Sequence, residues 1–331
     1  AMRAGFLDAR PSGRKKPDPS SAPVSAPPDA TSWRSRAPGA TRAFLDAACA
    51  ERWSHGHEVV SPPEASSSPS ENLLVLLHGR GERSAAPFAA FARKLNLPHT
   101  TCLSLAGPSP LPFGVPGREW FARLDPETGE DLRNDANPND SHLRADSLRR
   151  TQKALDYLLD KLTDVTQGGW PSTNVHLFGF SDGGTVAIEI GAARVGQKRL
   201  GGCVSVSAAL LPENVKRASL LYPPEPRAPT PFALTCGAFD AVITRHAVEE
   251  TARVLLARNP GAVAETFVCL DKNTHAMVNG EDETRFLMRF WGGTLSSPRT
   301  RAEDIGPDVL EITNETVELS KLTKAVSSEP R

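Results

Sequence analysis

The stretch from Val175 to Thr185, VHLFGFSDGGT, constrains the fold more than any other part of the chain. Val175 to Phe178 is an apolar run of a length that suits a strand buried on both faces. Gly179-Phe180-Ser181-Asp182-Gly183 follows as a G-x-S-x-G pattern, and Thr185 to Arg194 carries Val186, Ala187 and Ile190 at helical spacing. Strand, tight turn and helix, in that order, is the context of a nucleophile elbow, where a serine stands at a strand end in a strained conformation with Oγ exposed. A side chain at Gly179 or Gly183 is expected to collide with the neighbouring strand or helix. The Asp182 N–H lies where the helix opens, so an unpaired donor and the positive dipole end can meet negative charge developing on oxygen. The competing reading is an ordinary strand–glycine turn–helix connection that contains a serine.

Short apolar strands and amphipathic helices alternate on both sides of this stretch. Leu73 to Leu77 reads as a strand ending in His78-Gly79-Arg80-Gly81. Ala86 to Leu95 reads as a helix, with Phe88, Phe91, Ala92 and Leu95 on one stripe. Thr100 to Leu105 is a strand, and Leu143 to Leu162 a long amphipathic helix. Beyond the elbow come strands at Gly202 to Ser207, Pro231 to Cys236 and Ala264 to Leu270, with helices at Arg245 to Arg258 and Asp282 to Trp291. The pattern predicts an α/β fold with a mostly parallel central sheet and helices on both faces. Pro108 to Ser141 reads as irregular, and a loop that long inside a domain tends to be functional; Ala208 to Pro229 reads as a loop-rich passage with several prolines. Residues 1–38 are Pro-, Ser- and Arg-rich and expected to be disordered. Residues 39–70 hold a short helix at Thr41 to Trp53, then a linker or edge strand, with Ser61 to Ser70 loop-like. The α/β domain is expected over 71–293, and a charged tail over 294–331, where Val309 to Val326 could form a short strand or helix.

Composition narrows the partners. A formal net charge of −1 makes no case for nucleic acid or an anionic membrane. No apolar run reaches membrane-spanning length, and no secretory signal core is recognisable. The five cysteines have no metal-knuckle spacing; Cys102, Cys203, Cys236 and Cys269 sit in strand-like runs as small buried hydrophobes do. A reducing, cytoplasmic setting is expected, with the Arg- and Ser-rich N-terminus as a weaker pointer to mitochondrial targeting.

A serine hydroxyl needs a base to take its proton, and the base needs an orienting carboxylate. The elbow architecture presents them in the order serine, acid, histidine, each on a loop after a later strand. Asp240 follows the strand Phe232 to Cys236, and His275 follows the strand Phe267 to Leu270. Both positions lie where open α/β sheets assemble sites. Asp271 is an alternative acid, although it shares a loop with His275. His246 reads as surface, His176 as core, and His55 and His57 as plain exposed residues. An oxyanion hole needs a second donor, expected to be the Arg80 N–H in the glycine-rich turn, paired with that of Asp182. Gly79, Gly81, Gly179 and Gly183 serve the two turns. Trp120 and Phe121 are expected to line the acyl site, with a core role as the alternative.

The blocks His78-Gly-Arg-Gly-Glu82, Trp120-Phe121, Gly179-Phe-Ser-Asp-Gly-Gly184, Gly237-Ala-Phe-Asp240 and Thr274-His-Ala276 resemble the phospholipase/carboxylesterase family. That family includes the acyl-protein thioesterases and lies within the α/β-hydrolase superfamily. The resemblance implies an α/β-hydrolase fold without a large cap. It also implies cleavage of esters or thioesters through an acyl-enzyme, with no metal or organic cofactor. The substrate would be a small-molecule or lipid acyl ester or thioester, or an acylated protein. Two positions depart from the family pattern: Arg80 replaces an apolar residue, and Asp182 a glutamine. Asp182 is expected to disfavour acyl groups with a nearby negative charge unless Arg80 offsets it. The competing readings are a catalytically silent hydrolase fold used for binding, and a serine peptidase.

Overall fold

The computed structural model describes residues 38–62, 70–132, 138–222, 224, 229–258 and 261–297. Its sheet is built from β1 (His57–Val60), β2 (Asn72–Leu77), β3 (Thr100–Leu105), β4 (Val175–Phe180), β5 (Gly202–Val206), β6 (Phe232–Gly237) and β7 (Ala264–Cys269). The strand order is β1-β3-β2-β4-β5-β6-β7, with β1 antiparallel to β3 and every other pair parallel. Successive strands are therefore added on opposite sides of the boundary between β2 and β4. Such a switch point opens a crevice at the carboxyl ends of the strands. The turn after β2 and the elbow after β4 both fall there.

Apolar residues at every position of β2 after Asn72 are what a strand covered on both faces requires. Leu73, Val75 and Leu77 point into one core layer, and Leu74 and Leu76 into the other. The first layer is closed by α1 (Pro38–Arg52), α3 (Pro138–Leu162), α4 (Asp182–Ala193) and α5 (Arg245–Ala257). The second is closed by α2 (Ala86–Leu95) and α6 (Glu281–Thr294) through Phe88, Ala92, Phe286, Leu287 and Phe290. Each large apolar side chain among these contributes about 1.5–3 kcal/mol by leaving water.

Several expected boundaries move. The edge strand lies at His57–Val60, before the Ser61 to Ser70 stretch, of which residues 63–69 are outside the described residues. His57 is accordingly not a plain exposed residue: its Nε2 lies 2.9 Å from Asp46 Oδ1 on α1. Helix α4 starts at Asp182, not Thr185, because Gly183 and Gly184 carry no side chain to mark an apolar stripe. Helix α3 starts at Pro138, since its polar first turn shows no periodicity, and this shortens the irregular stretch that begins at Pro108. That stretch also contains a two-stranded ribbon pairing Ser109–Pro110 with Arg118–Glu119. The segment after Ala208 holds helical turns at Pro212–Lys216 and Ala218–Leu221. Residues 1–37 and 298–331, including the Val309 to Val326 segment, lie outside the described residues.

Candidate active site

Ser181 follows β4 and precedes α4 with φ 52° and ψ −122°, a backbone conformation that a non-glycine residue rarely holds. Flanking contacts enforce it. Ser181 N–H donates to Val206 O on β5 (3.0 Å), and Thr185 N–H donates to Ser181 O (2.9 Å). A Cβ on Gly179 would lie 2.3 Å from Gly183 O, and one on Gly183 would lie 2.3 Å from Leu77 O. The strand and helix approach so closely that only hydrogen fits at either position.

The loops after β6 and β7 bring their side chains to this serine. His275 Nε2 lies 2.8 Å from Ser181 Oγ, and His275 Nδ1 lies 2.9 Å from Asp240 Oδ2. Asp240 is buried, and burial alone would push its carboxyl up. The N–H groups of Ile243 and Val242 donate to Oδ1 (2.9 Å each), and with His275 they outweigh burial and hold it below the usual carboxylate range. Such an arrangement can accept a proton from Ser181 and stabilise the resulting imidazolium. Phe180 stacks on the His275 ring at 5.1 Å. Asp271 and His246 are exposed. His176 is enclosed within β4, where burial lowers its pKa to about 4.

The turn after β2 packs against the elbow, so that a Cβ on Gly79 would lie 3.6 Å from Ser181 Cβ. Asp182 N–H, the first of α4, has no acceptor within the helix. Arg80 N–H makes no backbone hydrogen bond among the described residues, whereas Gly81 N–H donates to Arg118 O (2.9 Å). The buried His78 ring organises this turn. Its Nε2 accepts from Gly107 N–H (2.8 Å), which leaves the proton on Nδ1 to donate to Gly79 O (2.7 Å). Burial lowers the His78 pKa, in keeping with the neutral ring this geometry needs.

Trp120 and Phe121, expected to line an acyl site with a core role as the alternative, are both essentially fully buried in the first core layer. Trp120 Nε1–H donates to His78 O (2.7 Å), and its ring stacks on Trp53, just past the end of α1, at 5.9 Å. An aromatic pair in an irregular segment gives no local sign of which way it faces. The expected charge compensation is also different. Arg80 Nε pairs with Glu119 Oε2 (3.0 Å), while Asp182 Oδ1 pairs with Arg123, 3.0 Å from Nε and 2.5 Å from Nη2.

Two further groups hold the His275 loop and had no sequence signal. Lys272 Nζ donates to Glu283 Oε1 (3.0 Å), with both side chains completely buried. Glu283 also accepts from Thr235 Oγ1 (2.6 Å) and Asn279 N–H (2.8 Å), tying the loop to β6 and α6. Ser207, at φ 48°, donates through Oγ to Ala276 O (3.2 Å). Among the described residues no group of His, Cys, Asp and Glu is arranged to hold a metal ion. No described helix is long and apolar enough to cross a membrane.

A mostly parallel sheet with a strained serine after a central strand, and an acid and a histidine after later ones, defines the α/β-hydrolase class. Within it, residues 55–284 match the model of the phospholipase/carboxylesterase family, and the chain belongs to that family. The crystal structure of esterase PE8 superposes with a TM-score of 0.57 at 20% identity, covering 72% of this chain and 99% of that one. The Bacillus cereus carboxylesterase gives 0.52 at 16% identity, covering 75% and 98%. At these identities the likeness bears on the fold. An uncharacterized hydrolase of Mycosarcoma maydis is 30% identical over 151 residues, 44% of this chain and 52% of that protein. One of Schizosaccharomyces pombe is 30% identical over 141 residues, 42% of this chain and 54% of that protein. The chain thus spans about half the length of the curated relatives it matches.

Proposed function

We propose that the protein is a serine hydrolase of carboxylic esters or thioesters, with Ser181 as nucleophile, His275 as base and Asp240 as orienting acid. The observation that carries this reading is the continuous contact from Ser181 Oγ to His275 Nε2 (2.8 Å) and from His275 Nδ1 to Asp240 Oδ2 (2.9 Å). Membership of the phospholipase/carboxylesterase family supports it.

In the first step His275 Nε2 takes the Ser181 proton as Oγ bonds to the carbonyl carbon. The carbonyl oxygen becomes an oxyanion, held by the N–H groups of Arg80 and Asp182. Each such donor typically contributes about 3 kcal/mol to the transition state. The oxyanion collapses, the alcohol or thiol leaves with the proton from His275, and an acyl-serine remains. Water, deprotonated by His275, then attacks the acyl carbon; the free acid leaves and Ser181 regains its proton. The exposed rings Phe239, beside Asp240, and Phe113, on the segment whose Gly117 packs on Gly81 O, are suited to contact the acyl chain. A cytoplasmic setting suits the five buried, unpaired thiols.

The test is hydrolysis of short- and long-chain p-nitrophenyl esters and a palmitoyl thioester by wild type and Ser181→Ala. Hydrolysis by wild type alone, with fluorophosphonate labelling lost in Ser181→Ala, is the expected result. Equally slow hydrolysis of all these substrates by the two proteins would leave a silent binding fold and sink the reading.

A further inference from the structure

Asp182 places a carboxylate at the first position of α4, beside the N–H assigned to the oxyanion hole. A negative charge there opposes the charge that develops on the substrate oxygen. Solvent does little to screen it, because the side chain is only 2% exposed. A second buried carboxylate, Glu119, lies close by: burial pushes its carboxyl up and Asp182 adds to that rise, while Arg80 and Arg123 oppose it. Arg80 is engaged by Glu119. Arg123 is the cation that contacts Asp182, and both of its bonds go to Oδ1. The other oxygen, Oδ2, is buried without a hydrogen-bond partner among the described residues.

Arg123 is itself held for this task. Its guanidinium lies 5.2 Å over the buried Phe121 ring, its carbonyl accepts from Leu132 N–H (2.9 Å), and the preceding Ala122 N–H donates to Ser147 Oγ (2.9 Å). Phe121 thus acts as a platform for a cation. We propose that Arg123 is a positioning residue for hydrolysis: by neutralising Asp182 it keeps the oxyanion hole receptive to negative charge. The inference rests on the reading of Ser181 as nucleophile. It gives the unusual residue after the serine a cationic partner 59 positions away.

Steady-state hydrolysis of p-nitrophenyl butyrate by the full chain tests it, with wild type, Arg123→Gln, Arg123→Lys, Asp182→Asn, the double variant R123Q/D182N and Ser181→Ala. Arg123→Gln is expected to lower kcat by about 30-fold with KM changed less than about twofold, the pattern of a lost transition-state interaction. Arg123→Lys recovers part of the loss. Asp182→Asn raises kcat by about threefold, and R123Q/D182N returns to within about threefold of wild type, because the Asp182 charge is gone and Glu119 keeps Arg80 as its partner. Affinity for an alkyl trifluoromethyl ketone, whose serine adduct carries an oxyanion, follows kcat across the series. An equal loss from Arg123→Gln in the wild-type and D182N backgrounds would mark a merely structural pair and overturn the proposal. Should Arg123→Gln not fold, Asp182→Asn decides, and no rise in kcat overturns it. Ser181→Ala separates the two readings. If it is as active as wild type, the nucleophile is wrong; if it is inactive while kcat ignores Arg123, only this inference falls.

Discussion

Lys272, three residues before His275 in the chain, is completely buried and ion-paired with Glu283 of α6, 3.0 Å from its Oε1. The pair pins the loop that carries His275 to the helix that follows it. Removing one partner of a buried pair leaves the other charge unmatched. We predict that Lys272→Met lowers stability by about 3–5 kcal/mol, read as a fall in denaturation midpoint. Replacing both, as K272M/E283L, should recover much of that stability while kcat falls below wild type, because the Glu283 bonds to Thr235 and Asn279 are gone too. Wild-type kcat in the double variant would show that the pair does not position His275.

Asp240→Asn keeps the shape of the acid but removes its charge and reverses part of its hydrogen bonding. We expect kcat to fall by about 10⁴-fold, with the folded state retained, the size of loss this change brings where an aspartate orients a catalytic histidine. A loss below about tenfold would point to another acid, with Asp271 the first to examine.

Glu189 on α4 titrates in a window that can be measured. Burial pushes its carboxyl from 4.5 up to about 7, against hydrogen bonds from Tyr222, Asn214 and Gln152. The native state therefore holds this proton at pH values where the unfolded chain has released it. The stabilisation is full below pH 4.5 and is lost as pH rises through about 7. Thermal midpoints across this window should decline for wild type relative to Glu189→Gln, by an amount equivalent to about 3 kcal/mol in total. Parallel curves for the two proteins would contradict it.

Phe239 is 70% exposed and adjoins Asp240. If its ring receives the acyl chain, Phe239→Ala should raise KM for long-chain esters by about five- to tenfold and leave acetyl esters nearly unchanged, as loss of apolar contact predicts. An equal change for both chain lengths would place the acyl chain elsewhere.

The elbow was legible in the sequence because its causes are local. Two glycines at fixed offsets from Ser181, an apolar strand before and a helix after are all read within a dozen positions. Asp240 and His275 were legible because each follows a strand whose apolar run is visible, and parallel strands deliver their carboxyl ends to one edge. In the folded chain His275 lies within hydrogen-bond reach of both Ser181 and Asp240. What the local pattern could not carry is which side chains meet across the fold. Trp120 and Phe121 lie in the core because Trp53 stacks on Trp120 and α3 bonds their segment through Thr151 and Ser147, and no spacing in an irregular segment encodes that. Arg123 meets Asp182 and Lys272 meets Glu283 only after separate segments are packed together, and a charged residue reads alike in a sequence whether solvated or buried. Fold class and the order of the site residues follow from periodicity, which is short-ranged. The partners of the charges around the site follow from packing, and packing exists only in three dimensions.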